Sequence, residues 1–282
     1  MTAKDLVEYS GPLAFIGGGN MAHSLIGGLI ARGLPAEAIV VADPLPAALE
    51  RLRADYGVAV TQDNARAVHG ADVVVCAVKP QELRAVMEGL REALAPGAPL
   101  LISIAAGIRS SDIQRWAGVA TVRCMPNRPA LQGCGVTALY APAGIPPERR
   151  ALAERILGSV GATVWLEREA DMDAVTAISG SGPAYFFLLT EMLEQTGRSL
   201  GLSAEVSRKL AFETAYGSGM MVHAARVSAA TLREQVTSRG GTTAAALERL
   251  EAHGVRAIFA EAITAAARRS AQMADELGGE PG

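Results

Sequence analysis

Leu13-Ala14-Phe15-Ile16-Gly17-Gly18-Gly19-Asn20-Met21-Ala22 decides the fold. Leu13–Ile16 is a short apolar strand and Gly17–Asn20 a tight turn. Met21–Arg32 then repeats apolar residues at helical spacing until Gly33 stops it. Strand, glycine turn and helix in that order open a βαβ unit. The turn matches G-x-G-x-x-A. Its first glycine permits the sharp bend, its second lets backbone approach a pyrophosphate, and Ala22 keeps helix and strand close. The helix N-terminus offers free N–H groups and a partial positive charge to phosphates. Glycine turns are also common structural punctuation. Here the flanking strand and helix, with an acid, Asp43, at the second strand end, favour a dinucleotide site.

Outward from that turn, strands and helices alternate. Ala38–Ala42, Val58–Val60, Val73–Val78, Pro99–Ile104, Ala120–Met125, Gly135–Tyr140 and Thr163–Leu166 read as strands; Pro46–Asp55, Pro80–Leu94 and Pro147–Leu157 read as helices. Val73–Val78 is wholly apolar, as a parallel strand covered on both faces requires. The pattern predicts an α/β Rossmann domain, a doubly wound parallel sheet, over residues 1–166. Beyond Leu166 no strand is convincing. Glu169–Ile178, Pro183–Leu200, Ala204–Ala225, Ala229–Val236, Thr242–Ala252 and Val255–Ala274 read as helices, predicting an all-α domain over 167–282. Its faces are poor in charge, so a second copy of the chain is expected to complete it.

Composition excludes other classes. The 282 residues fit two domains at roughly 100–200 residues each. Half are apolar and 20% charged, which rules out wholesale disorder. With 26 basic side chains against 29 acidic, the net charge is −3, and no basic block offers a footprint for nucleic acid. Cys76, Cys124 and Cys134 form no C-x-x-C pair, so no zinc site or redox pair is indicated, and they read as small hydrophobes. His23, His69, His223 and His253 lack metal-ligand spacing, so no metal is expected. No apolar run spans a membrane. Met1–Pro12 carries Lys4, Asp5 and Glu8 and lacks a signal core, so a cytoplasmic location is expected.

The cofactor should lie along the carboxyl ends of the strands. Gly17, Gly18, Gly19, Asn20 and Met21 would hold its phosphates. Ala77, Val78, Lys79 and Pro80 follow one strand and Ala105, Ala106 and Gly107 the next, where small residues leave room for a nicotinamide ring. Asn64 joins the cofactor-binding set. Asp43 would accept hydrogen bonds from the adenosine ribose and repel a 2′-phosphate, favouring NADH; a plain turn Asp before Pro44 is the alternative. Lys79 also reads as a structural lysine at a helix start.

The chain resembles the pyrroline-5-carboxylate reductases from about Ala14 to Ala274. The resemblance rests on Ile16–Met21, Ala77–Pro80, Ser103–Gly107, Met125-Pro126-Asn127, Ile178–Tyr185 and, most specifically, Val236–Glu251. It implies NADPH- or NADH-dependent reduction of the cyclic imine 1-pyrroline-5-carboxylate to L-proline, the last step of proline biosynthesis. It also implies a helical dimerisation domain, a homodimer with interlocked helices, and larger rings of dimers.

Ser238-Arg239-Gly240-Gly241-Thr242-Thr243 has the chemistry of an anion nest at a helix start, suited to a substrate carboxylate. On composition alone Thr242 or Thr243 is better explained as a helix N-cap. The resemblance makes Thr243 the candidate for the bond to the imine nitrogen, with Ser238 in support and Gly240, Gly241 and Thr242 on the carboxylate. It also puts Glu169 near the substrate, against the reading of a solvated acid at a helix start. A cyclic iminium needs hydride more than an acid, which agrees with a signature rich in hydroxyls and poor in histidine.

The chain departs from the family pattern at Arg128, in place of the threonine of MPNTP, and at Arg239, in place of the proline of SPGGTT. Two other readings exist. A β-hydroxyacid reductase would place a catalytic lysine in the helical domain, but Lys209, the only lysine after residue 166, has no accompanying motif. A non-catalytic sensor of dinucleotide and amino acid would not need Ser238 and Thr243.

Overall fold

The computed structural model describes Tyr9 and residues 11–279. The sheet has eight strands: β1 (Leu13–Ile16), β2 (Ile39–Ala42), β3 (Ala59–Thr61), β4 (Val73–Cys76), β5 (Leu100–Ser103), β6 (Thr121–Met125), β7 (Gly135–Tyr140) and β8 (Gly161–Trp165). Their order is β3-β2-β1-β4-β5-β6-β7-β8. All pairings are parallel except β6 with β7. This is the doubly wound sheet the alternation predicts, and no strand follows Trp165 among the described residues.

The period of two along each strand divides the core. Leu13 and Phe15 of β1 face one layer with Leu25, Ile26 and Leu29 of α1 (Asn20–Ala31), Leu52 of α2 (Pro46–Tyr56) and Ile156 of α6 (Pro147–Leu157). Ala14 and Ile16 face the other, with Ala67 of α3 (Asn64–Val68), Leu83, Met87, Leu90 and Leu94 of α4 (Pro80–Leu94) and Ile113 and Trp116 of α5 (Ser110–Ala117). The spacing of four, three and four along α4 gives one apolar stripe. α3 and α5 have five and eight residues, too short for a periodic signal in the sequence.

The predicted helix Glu169–Ile178 is interrupted. A 3-10 turn (Glu169–Asp171), α7 (Met172–Val175) and a π turn (Thr176–Gly180) succeed one another. The Thr176 and Ser179 hydroxyls donate to the carbonyls of Met172 and Val175, and the Asn127 amide donates to the Ser179 carbonyl at 3.1 Å. These bonds offer the backbone partners outside an α-helical ladder.

The described residues form two compact units. One runs to Gly180 and resumes at Ala266; the other is Ser181–Ala265. The expected boundary after residue 166 coincides with the end of the sheet. The compact division comes later because Glu169–Gly180 packs with the sheet unit, as does the last part of α12 (Val255–Gly278). Ser270, Ala274 and Gly278, on one helical face, are buried there, and Ser270 Oγ meets Asp173 Oδ1 at 2.7 Å.

The second unit holds α8 (Gly182–Ser199), α9 (Ala204–Ala224), α10 (Ala229–Gln235), α11 (Thr242–Ala252) and the start of α12. Ser203 caps α9 and Ser228 caps α10 through their hydroxyls. Its large apolar side chains are uncovered in the single chain: Phe186 is 71% exposed, Phe187 62% and Ile258 63%. No helix among the described residues is long and apolar enough to cross a membrane.

Candidate active site

Strand register sets the first half of the site. Ile16 lies level with Ala42 and Cys76, and Cys76 with Ser103, so the loops after β1, β2, β4 and β5 leave one edge of the sheet together. Gly17 has φ of 99°, and a Cβ there would lie 2.6 Å from the Ala77 carbonyl oxygen. Only glycine fits, and its absent side chain brings the turn against the loop Ala77–Pro80. The Gly18 N–H donates to Asp43 Oδ2 at 2.7 Å. Gly19 is the N-cap of α1, with no side-chain cap and no atom within 4 Å of a Cβ placed on it. The first turn of α1 carries no acid that would repel an anion. That is a cradle for a pyrophosphate.

Asp43 is more engaged than the sequence alone suggests. Its Oδ1 accepts the Leu45 N–H at 2.8 Å while Oδ2 holds Gly18. The turn-forming role and a ribose-binding role share one side chain, because each oxygen keeps a further lone pair. Lys79 is the N-cap of α4, its carbonyl accepting the Glu82 N–H at 3.0 Å, and its ammonium makes no hydrogen bond or ion pair among the described residues. Gly107 has φ of 69°, and its Cα faces Met273. Asn64 opens α3 after Asp63 caps it, and lines a groove with Val86 and Leu90 of α4.

Glu169 is engaged on both carboxylate oxygens. Its two oxygens accept the Ser110 N–H at 2.6 Å and the Ser110 hydroxyl at 2.7 Å, and Arg123 Nη1 adds a bond at 3.1 Å. It caps α5 and neutralises Arg123, which is 4% exposed. Asn127 is a structural link that residue types did not reveal. Its Oδ1 accepts the Val136 N–H at 2.9 Å while its amide holds Ser179. Its place in Met125-Pro126-Asn127 was the available signal.

The second unit contains the other candidate residues. Gly240 has φ of 70°, and the Gly241 N–H donates to the Ser238 carbonyl at 3.1 Å. Gly241, not a threonine, is the N-cap of α11, with no side-chain cap bond. The hydroxyls of Ser238, Thr242 and Thr243 therefore carry no capping role. Neither they nor the Arg239 guanidinium has a hydrogen-bond partner among the described residues. Backbone N–H groups, hydroxyls and one cation together can receive a carboxylate.

Burial holds the Cys76 thiol up at about 12 and raises that of Cys124, so neither is a nucleophile at neutral pH. No group of three His, Cys, Asp or Glu suited to a metal occurs among the described residues.

Residues 169–273 match the family described as pyrroline-5-carboxylate reductase dimerisation, and 12–107 that described as NADP oxidoreductase, coenzyme F420-dependent. The pyrroline-5-carboxylate reductase of Pseudomonas aeruginosa is 46% identical over 94% of this chain and 98% of its own. A solved reductase from Coxiella burnetii superposes with a TM-score of 0.89 at 38% identity, covering 94% of this chain and 99% of that one. The Plasmodium falciparum enzyme, solved with NADP bound, gives 0.82 at 29% identity, covering 94% and 98%.

Proposed function

From the premise that this chain belongs to the pyrroline-5-carboxylate reductase family, we propose how its residues divide the reaction. The chain is an oxidoreductase that reduces 1-pyrroline-5-carboxylate to L-proline with NADPH or NADH. The Gly17 and Gly18 N–H groups are held by Ala42 and Asp43, so the turn Gly17–Met21 receives the pyrophosphate at the N-terminus of α1, with Asn64, Ala77–Pro80 and Ala105–Gly107 around the rest of the dinucleotide. The cofactor supplies hydride to the imine carbon. Gly240, Gly241 and Thr242 hold the substrate carboxylate. Thr243 accepts the iminium N–H, or donates its O–H to the neutral imine nitrogen, and Ser238 steadies the turn. Catalysis is chiefly positioning, because a protonated imine already carries its proton. Glu169 contributes by fixing Ser110 and Arg123.

The unused hydroxyls of Ser238 and Thr243 beside the Gly240-Gly241 turn carry this reading. Purified protein given 1-pyrroline-5-carboxylate should oxidise nicotinamide cofactor and release L-proline, with little activity on β-keto acids. No turnover, with intact cofactor binding, would leave the sensor reading in its place.

The chain oligomerises through its dimerisation domain. The finer proposal is a homodimer, or a ring of dimers, that covers the apolar helical faces. A small-molecule imine is its partner, not nucleic acid, and its place is the cytoplasm.

A further inference from the structure

The outer face of α1 borders a cleft of about 560 Å³, within the size range of small-molecule sites. It lies opposite the face on which Leu25, Ile26 and Leu29 meet the sheet. Two bare positions shape it. A Cβ on Gly27 would come within 2.5 Å of Tyr56 Oη, and one on Gly28 within 2.6 Å of Val160. The walls therefore close directly onto helix backbone.

Three features suit the cleft to an anion. Arg51 of α2 and Arg128 of the 3-10 turn Arg128–Gln132 line it from separate elements, and no carboxylate is among its lining residues, in a chain of net charge −3. The Arg128 guanidinium has no hydrogen-bond or ion-pair partner among the described residues. Arg51 bonds Asn20 Oδ1 at 3.3 Å and lies 3.7 Å from Asp55. Ser159, 6% exposed, also lines the cleft, and its Oγ has no partner. His23 is held between Asp55, 2.8 Å from Nε2, and the Tyr56 hydroxyl, 3.1 Å from Nδ1. With the carboxylate accepting and the phenol donating, Nε2 carries the ring proton and Nδ1 accepts.

We propose that this cleft binds a small metabolite through an oxyanion, phosphate or carboxylate, held between Arg51 and Arg128. Oxyanions favour guanidinium groups because paired N–H donors match their geometry. The site shares only Asn20 with the residues assigned to the cofactor, so it is a second anion site alongside the pyrophosphate turn.

Calorimetry on the full chain tests it. NADPH is titrated first, which checks the cofactor reading separately. Phosphate or succinate is then added to the NADPH-saturated enzyme, against chloride of equal ionic strength. Wild type should bind one of the two. The double variant Arg51→Gln/Arg128→Gln should bind it about tenfold or more weakly, as expected for losing charge-assisted hydrogen bonds, with NADPH affinity unchanged. Arg128→Glu, one exposed side chain, should abolish binding on its own. Stronger binding of phosphate assigns a phosphoester and stronger binding of succinate a carboxylate. The proposal fails if neither anion binds the saturated enzyme, if NADPH displaces the anion, or if both variants bind it as wild type does.

Discussion

The Asp43 carboxylate accepts the Gly18 N–H at 2.7 Å, joining the end of β2 to the middle of the phosphate turn. A 2′-phosphate beside it would meet its negative charge. Arg53 is paired with Glu50, and Arg51 faces the cleft along the outer side of α1. NADH should therefore serve at least as well as NADPH. Asp43→Ser should lower kcat/KM for NADH by about tenfold or more, the worth of a hydrogen bond to a charged group, and lower that for NADPH less, since both cofactors share the turn that Asp43 ties. Strong wild-type selectivity for NADPH that the substitution leaves alone would show that Asp43 serves the turn only.

Arg123 is buried and Glu169 is 20% exposed, and the two make a part-buried pair with Ser110 as third member. Removing Glu169 leaves the Arg123 charge uncompensated and costs about 2–3 kcal/mol, less than a fully buried pair would. Glu169→Ala should lower stability to urea by about that amount, and Arg123→Met in the same chain should recover part of it. Unchanged stability with a collapsed kcat would mean instead that Glu169 acts on the substrate.

Legibility in the sequence followed the length of the signal. The glycine turn, the apolar strands β1 and β4 and the long helices α4, α8, α9 and α12 have enough periodic residues to announce themselves. α3, α5 and the π turn Thr176–Gly180 do not, since they depend on single side-chain bonds such as Asp63 to the Arg66 N–H or Asn127 to Ser179. In the site, Gly17 and Gly240 were legible because their residue type reports their backbone geometry. Glu169 was not: its partners Ser110 and Arg123 are 59 and 46 residues away in the chain. No local pattern encodes such contacts.

The cysteines give a pH signature. Cys134 is exposed, while Cys76 and Cys124 are buried. The native protein should react with a thiol reagent at one site, and the unfolded chain at three. Burial raises the Cys76 thiol from 9.0 to about 12, so the folded state holds its proton more tightly than the unfolded. Its contribution to stability is complete below pH 9 and is lost as pH rises toward 12. Urea midpoints measured across that interval should fall, and Cys76→Ala should flatten part of the fall.

Phe187 and Ile258 are more than half exposed in the single chain. Covering a large apolar side chain is worth about 1.5–3 kcal/mol, counted twice in a two-fold interface. Phe187→Glu or Ile258→Glu should shift the assembly toward monomer in sedimentation. An undisturbed oligomer would place the interface elsewhere.

Thr243 follows a helix start whose N-cap is Gly241, and its hydroxyl has no partner among the described residues. Helix capping therefore does not account for it, and Thr243→Ala should leave thermal stability and dinucleotide affinity nearly unchanged. The effect should fall on the chemical step. One oriented bond to a charged ring nitrogen is worth about 1.5–3 kcal/mol, or roughly 10- to 150-fold in rate. Thr243→Ser, which keeps the hydroxyl, should recover most of the loss. Ser238→Ala should cost less, because its hydroxyl precedes the glycines and packs against Gly241. If Thr243→Ala retains full kcat and KM, the threonine is a structural residue of α11 and the imine nitrogen is held by another group.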